Sequence, residues 1–176
     1  MSNFSEEQSS PLVILPATAA DLEAVSAVIA SAVDAWPVSE RLKRSVLPVL
    51  SYDEVDLSDH ELLVAKRGAD LIAMGAWQFE TPLSDPDGQT SALMHGLFVA
   101  SGEQGSGIGQ RLQAAVAARA SVAGFHGLHV RAERFAVSYF ERCGYRRLRP
   151  DQQPKGSGPA YPYWFWHACD RLASGR

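Results

Sequence analysis

The chain has 176 residues, 46% of them hydrophobic, which suits one ordinary domain with a proper core. Its formal net charge of -4 argues against nucleic acid as the main partner. Two cysteines, Cys143 and Cys169, are too few for a disulfide scaffold or a zinc cluster. The histidines show no metal-ligand spacing, so we expect no bound metal.

The start of the chain predicts a flexible lead over residues 1–10. These residues are polar and acidic, and they lack the basic start and apolar centre of a signal peptide. No stretch of the sequence approaches the roughly 20 apolar residues that a membrane helix needs. We therefore expect a cytoplasmic protein with no membrane partner, built as a single domain over residues 11–173.

The first half of the chain predicts a strand, two helices and a strand hairpin. The strand is the apolar run at residues 12–15, which ends at Pro16. The first helix presents an apolar stripe at helical spacing and ends at Trp36-Pro37. The second helix spans residues 39 to about 50. The hairpin strands are residues 61–66 and 71–80, joined by a turn sequence.

The second half alternates strands with helices. Residues 81–90 are rich in Pro, Asp, Gly and Ser and predict a loop. Continuously apolar residues 92–100 predict a central strand. The later elements are a helix from Ile108 to near Gly124, a strand at 127–132, a helix at 134–142 and strands at 145–148 and 163–168, the last two separated by a Pro/Gly-rich loop.

This order predicts an α/β fold of the α+β type. Residues 92–132 form a strand–loop–helix–strand unit, which we expect to be a right-handed parallel crossover. The earlier hairpin is antiparallel. The expected architecture is a mixed, mostly antiparallel central sheet of about six to seven strands, with helices on both faces.

The glycine-rich residues 104–109, Gln-Gly-Ser-Gly-Ile-Gly, lie between a predicted strand and a predicted helix. Glycine adopts positive φ readily and lets a ligand approach the backbone. The first turn of the following helix offers unpaired N–H groups and the positive end of the helix dipole. Together these features predict a phosphate-binding site.

Two common phosphate-binding motifs do not fit. A nucleoside triphosphate loop needs Lys followed by Ser or Thr after its last glycine, whereas Gly109 is followed by Gln110 and Arg111. A dinucleotide fold needs G-x-G-x-x-G near the first strand, whereas this spacing is G-x-G-x-G and falls past the middle of the chain.

A resemblance to a known family identifies the phosphate ligand. Residues 99–109 resemble the acyl-CoA signature of the GNAT N-acetyltransferases, Q/R-x-x-G-x-G/A after a strand that ends in valine. Pro16-Ala17-Thr18 with Asp21 is similar to the opening helix of that family. Residues 136–145, Ala-Val-Ser-Tyr-Phe-Glu-Arg-Cys-Gly-Tyr, are similar to its late A-x-x-F-Y-x-x-x-G-F motif. The resemblance covers about residues 12–172.

The resemblance implies an acyl-CoA site and a direct transfer reaction. Backbone groups of Leu97, Phe98 and Val99 would pair with the pantetheine arm, and a nearby N–H would stabilise the oxyanion. The central strand would splay from the strand at 127–132 and open a slot for the thioester. An amine would attack the acyl carbonyl with no acyl-enzyme. The pyrophosphate would be held by the turn that comprises Gln104, Gly105, Ser106, Gly107, Ile108, Gly109 and Gln110.

Two positions depart from the family pattern. The tyrosine often credited with protonating the leaving thiolate falls on Phe140, which we place beside the cofactor. Tyr139 precedes it, about 100° round the helix, and we expect it to pack in the core in the position of the family's phenylalanine. It is nevertheless retained as a catalytic candidate. The family's frequent asparagine falls on Glu133, which we expect to face outward.

A general base is needed because an amine acceptor arrives protonated. Glu80, at the end of the hairpin, and His95, within the central strand, are the candidates. His95 alternates with Leu97 and Val99, so it can equally face a helix, and a chain of water molecules can replace either base.

The resulting hypothesis is an acetyl-CoA-dependent N-acetyltransferase that acts on a primary amine of a small molecule or peptide. The alternative is a non-catalytic acyl-CoA-binding sensor or regulatory domain, which Phe140 keeps open. A homodimer is compatible with either. The aromatic residues near the C-terminus, such as Tyr163, Trp164 and Trp166, predict a half-buried strand, an apolar acceptor pocket or a dimer face.

Overall fold

The structure, a computed structural model, describes residues 10–154 and 163–175, apart from the side chains of residues 79–82. The predicted N-terminal lead, except Ser10, lies outside the described residues, as does most of the Pro/Gly-rich loop that follows Pro154.

The main elements follow the predicted order. They are β1 Leu12–Pro16, α1 Leu22–Asp34, α2 Glu40–Leu50, α3 Asp56–Asp59, β2 His60–Arg67, β3 Asp70–Ser84, β4 Thr90–Val99, α4 Ile108–Val122, β5 Gly127–Arg131, α5 Val137–Arg142, β6 Arg146–Arg147, β7 Trp164–Ala168 and α6 Cys169–Ser174.

The strands form one seven-stranded sheet in the order β1-β2-β3-β4-β5-β7-β6. Antiparallel pairing joins β1 to β2, β5 to β7 and β6 to β7. β4 and β5 are parallel, with registered pairs from Ser91↔Gly127 to Met94↔Val130, whereas β4 itself continues to Val99. The predicted mixed, mostly antiparallel sheet and its parallel crossover through α4 are confirmed.

The chain divides into two compact units. The first comprises Met1–Gly75 with Gly96–Leu112, and the second comprises Ala76–His95 with Gln113–Arg176. β3 and β4 contribute residues to both. The single domain over residues 11–173 stays a prediction.

α1 and β2 both contribute buried residues to the first unit. The buried face of α1 follows the predicted helical spacing and comprises Val25, Val28, Ile29, Ala32 and Val33. In β2, the buried stretch comprises Leu62, Leu63, Val64 and Ala65. The entry to α1 is held by Asp21, whose carboxylate accepts a hydrogen bond from the Thr18 backbone N–H at 2.9 Å and pairs with Lys66 at 2.6 Å.

The second unit is centred on β5 and β7. Phe165 is fully buried, and its ring lies 5.8 Å from that of Phe140 on α5. Tyr145 packs edge-on against the same Phe140 ring at 5.3 Å. The aromatic C-terminal run is therefore a core strand, because alternate residues on both of its faces find partners.

Several boundaries differ from the sequence predictions. β3 continues to Ser84, into the predicted loop, because Asp85 closes a short turn instead. Its backbone N–H donates to the Gln89 carbonyl at 2.8 Å, and its Oδ1 accepts from Asp87 and Gln89. α3 and α6 form where the sequence predicted no helix, and β6 is only two residues long.

Candidate functional site

The glycine turn lies between β4 and α4, and its residues 104–107 are exposed. Gly105 and Gly107 have φ of 80° and 81°, conformations that residues with a Cβ rarely adopt. A Cβ built on either glycine would meet no atom within 4 Å. The space in front of the turn is therefore open, and the glycines are required by the backbone conformation and not by crowding.

Buried side chains anchor the start of α4. Ile108 and Leu112 are buried and anchor the first turn of the helix. The Arg111 N–H donates to the Gly107 carbonyl at 3.1 Å. N–H groups that precede this first bond, those of Ile108 and Gly109, have no acceptor within the helix. They carry the positive end of the helix dipole, which suits an anion.

Two polar side chains of the turn donate to backbone carbonyls that precede it in the chain. Gln104 Nε2 donates to the Val99 carbonyl at 3.1 Å, and Ser106 Oγ donates to the Glu103 carbonyl at 2.5 Å. Glu103 also accepts two hydrogen bonds from Arg67 Nη1, at 2.8 and 2.9 Å. These contacts hold the shape of the turn.

The end of β4 presents alternating environments. Phe98 is buried and stacks on Trp36 at a centroid distance of 6.5 Å, whereas Leu97 and Val99 are partly exposed. The strand is fixed at its exit, where the Ala100 N–H donates to the Ile72 carbonyl at 3.0 Å.

Tyr52 is a neighbour of β4 that the sequence analysis missed. A Cβ on Gly96 would lie 2.6 Å from its hydroxyl, so the glycine lets the phenol approach the strand backbone. Burial raises the pKa of Tyr52, with a further contribution from the charge of Asp56, so the phenol stays protonated at neutral pH. Its 44-residue separation from Gly96 left no local pattern to find.

In the second unit, Tyr139 is half-buried and its hydroxyl accepts a hydrogen bond from the buried Gln113 Nε2 at 2.6 Å. Burial raises its pKa, as does the neighbouring Cys143, so it too stays protonated. Phe140 is the more buried of the two rings and packs against Tyr145 and Phe165. Tyr139, which we expected to pack in the core, is thus half-buried, and Phe140 lies deeper.

His129 is a second residue that sequence reasoning left without a role. It is fully buried in β5, with its Nε2 3.1 Å from the Ser84 carbonyl. A carbonyl only accepts, so Nε2 carries the proton and Nδ1 bears the lone pair. Burial lowers the pKa of His129 to about 4, against the raising effects of the Ser84 bond and the charge of Asp85. The ring is neutral at pH 7.

The other predicted residues are placed as follows. His95 is exposed on β4, and Glu133 is exposed, as expected, just before α5. The side chain of Glu80 lies outside the described residues. The roles of His95, Glu80 and Tyr139 in catalysis, and of Phe140 at the cofactor, stay predictions.

Two findings concern other classes of site. Across residues 10–154 and 163–175, no three His, Cys, Asp or Glu side chains gather as a metal site would require. Within the same part of the chain, none of the helices has the length and apolar character needed to cross a membrane.

The comparison with protein families decides the assignment. The model of the acetyltransferase (GNAT) domain matches residues 40–158, which include the glycine turn and the α5 motif. The chain belongs to the GNAT family. No curated protein matches the sequence significantly.

Solved structures share the GNAT fold. The PaiA N-acetyltransferase from Thermoplasma acidophilum, in complex with coenzyme A, is similar with a TM-score of 0.70 at 15% identity over 90% of this chain and 99% of that one. A GNAT-family acetyltransferase from Staphylococcus aureus Mu50 has a TM-score of 0.65 at 12% identity, with the same coverage of 90% and 99%. A chain of the KacTA–DNA complex has a TM-score of 0.63 at 16% identity, over 93% and 97%.

Proposed function

We propose that this GNAT protein is an acetyl-CoA-dependent N-acetyltransferase that acts on a primary amine of a small molecule or peptide. The observation that carries the proposal is the turn at Gly105 and Gly107. It combines two left-handed glycines, an open front face and the start of a well-anchored helix. The coenzyme A bound to the PaiA enzyme supports the same ligand class for this fold.

In this proposal, the backbone amides of residues 104–110 bind the pyrophosphate. The partly exposed Leu97 and Val99 and the intervening Phe98 offer backbone groups to the pantetheine arm. The ion pair between Arg67 and Glu103 acts as a positioning contact, because it ties the turn to β2. Both side chains are about a quarter exposed.

The proposed reaction is direct acyl transfer. The neutral amine nitrogen attacks the thioester carbonyl, a C–N bond forms, and the carbonyl oxygen becomes an oxyanion that a β4 backbone N–H near Phe98 or Val99 stabilises. The C–S bond then breaks and the electron pair leaves with sulfur. A thiolate of ordinary pKa, about 8.5, is a fair leaving group, so a strong general acid is not essential.

The candidate residues differ in whether they can accept a proton or donate a hydrogen bond. The amine must lose one proton before attack and another after it, and His95, exposed on β4, and Glu80 are the proposed acceptors. Tyr139 stays protonated, so it serves as a hydrogen-bond donor and not as a base. Tyr52, whose hydroxyl lies against β4 at Gly96, is a further proposed donor.

The alternative proposal is a non-catalytic acyl-CoA-binding domain. Phe140 favours it, because the ring replaces the family's usual tyrosine and is buried among Tyr139, Tyr145 and Phe165. In this alternative, the protein binds acyl-CoA but does not transfer its acyl group.

Two assays separate these proposals. Thermal shift with acetyl-CoA, CoA, ATP and NAD tests the site: a ligand at about 100 times its Kd adds roughly 2.7 kcal/mol to stability. Stabilisation by acetyl-CoA and CoA alone is expected. Release of free thiol from acetyl-CoA with a panel of primary amines then distinguishes transferase from sensor. Absence of any shift with either coenzyme would end both proposals.

We also propose a cytoplasmic, single-domain protein whose partners do not include nucleic acid. The net charge of -4 supports the last point. The KacTA–DNA complex shows that the fold itself is found in a DNA complex, so the proposal rests on charge and not on fold.

A further inference from the structure

A cavity of about 660 Å³ lies in the second compact unit. Its walls come from two short segments, the turn after β3 and the single 3-10 turn that follows β6. Its volume is in the range of small-molecule sites. The lining residues are Leu83, Ser84, Asp85, Pro86, Arg149, Asp151, Gln152, Gln153 and Pro154.

Asp85 gives this cavity a buried negative charge. The residue is only 6% exposed, yet it lines the cavity wall. Its Oδ1 accepts hydrogen bonds from the backbone N–H groups of Asp87 and Gln89, both at 2.8 Å. Among the described residues, no donor reaches Oδ2. One carboxylate oxygen therefore shapes the turn, and the other is left for a ligand.

Among the described residues that line the cavity, Arg149 is the only cation, and it pairs with Asp151. The Arg149 guanidinium makes two hydrogen bonds to Asp151, both at 3.2 Å, and that pair is exposed. Among the described residues, the lining therefore carries two carboxylates, Asp85 and Asp151, against one guanidinium. A buried carboxylate that lacks a cationic partner is unfavourable, so a positive ligand is electrostatically favoured here.

We propose that this cavity binds the ammonium group of a small alkylammonium ligand, with Asp85 Oδ2 as its counter-ion. Leu83, Pro86 and Pro154 offer apolar surface to the alkyl chain. The Gln152 and Gln153 amides supply hydrogen-bonding groups beside it. The residues that line the cavity include none of those proposed to bind acyl-CoA. The ligand is recognised by its positive charge and its alkyl chain.

The chain offers an isosteric test and a matched control. In Asp85→Asn, the side-chain carbonyl oxygen still accepts from Asp87 and Gln89, so the turn is retained while the charge is removed. Asp87→Asn removes one charge from the same turn, but Asp87 is exposed and does not line the cavity.

The experiment is a titration of the protein, without acyl-CoA, with n-butylammonium and with neutral n-butanol, followed by calorimetry and amide NMR. We expect butylammonium to shift the amides of residues 83–85 and 149–153, and butanol to leave them in place. Asp85→Asn should weaken binding about tenfold or more, and Asp87→Asn less than about threefold.

Equal losses in the two variants would overturn the proposal, since they would mean a general electrostatic attraction. Undiminished binding to Asp85→Asn would overturn it as well. If Asp85→Asn proves unfolded, the wild-type amide map decides: shifts elsewhere, or no shifts, refute the site. Because acyl-CoA is absent, failure here leaves the proposed transferase activity untouched, and failure of that activity leaves this site untouched.

Discussion

Gln110→Glu is the substitution that tests the phosphate site most directly. Gln110 is an exposed residue of the first turn of α4, and the change replaces one NH₂ by one oxygen. A carboxylate near a helix N-terminus is favourable by about 0.3–1 kcal/mol. If the pyrophosphate of acetyl-CoA binds at the same helix end, the new charge repels it. Protein stability and ligand affinity should therefore change in opposite directions.

The size of the repulsion follows from Coulomb's law. A carboxylate about 7 Å from two phosphate charges, at an effective dielectric constant between about 40 and 80, is repelled by roughly 1–2 kcal/mol. That energy corresponds to a five- to thirtyfold rise in Kd, approximately. Gly107 is a poorer choice for a charge, because its φ of 81° would strain any side chain.

The assay is calorimetric titration with acetyl-CoA at low salt, together with urea unfolding of the free protein. Gln110→Ala separates loss of the amide from gain of charge. Val122→Glu is the charge control: Val122 is 91% exposed at the other end of α4, about 18 Å away along the helix. Salt near 1 M should reduce the effect of Gln110→Glu. An unchanged Kd for Gln110→Glu at low salt would refute the site assignment.

Three further predictions follow from contacts in the structure. Gly107→Ala should destabilise the protein by about 1–2 kcal/mol in urea unfolding and should weaken acetyl-CoA binding in the calorimetric titration. Gly102→Ala, at a residue with ordinary φ and open space around it, should change neither quantity. Gly96→Ala should destabilise the fold by about 1–3 kcal/mol in urea unfolding, and adding Tyr52→Phe should recover much of that loss. If the effects of the two substitutions on the free energy of unfolding simply add, the close contact between the residues is contradicted. Because the pKa of His129 is lowered in the folded state, the unfolded chain binds the proton at a higher pH than the native state does. The free energy of unfolding should therefore fall by about 3 kcal/mol as pH falls from about 6.5 to 4, and this stability should be fully present above that range. His129→Gln, which retains a donor for the Ser84 carbonyl, should flatten that part of the stability–pH curve, and an unaltered slope would show that His129 is not its source.

The local features were the ones that the sequence predicted well. The glycine turn, the amphipathic stripe of α1 and the crossover through α4 each depend on residues close together in the chain. Positive φ at Gly105 and Gly107 is a property of single residues, and the start of α4 follows from its first buried side chains. Such features are encoded in short segments, so one sequence is enough to predict them.

The sequence predictions differ from the structure where a feature depends on residues distant in the chain or on a single hydrogen bond. β3 extends further than predicted because the Asp85 carboxylate closes the turn that composition alone read as a longer loop. Tyr139 is half-buried, and its hydroxyl accepts a hydrogen bond from Gln113 of α4, a partner 26 residues away in the chain. Neither the turn length nor that partner follows from periodicity.

By itself, the sequence predicted the order of the main elements and the mixed sheet, and it suggested the candidate phosphate site, since periodicity, turn chemistry and glycine positions act over a few residues. Only the tertiary structure decided which polar groups are buried, and against what. The phenol of Tyr52 against Gly96, the neutral ring of His129 and the single engaged oxygen of Asp85 all depend on packing between segments far apart in the chain. Burial sets the energy of a polar group, and burial is a property of the whole fold.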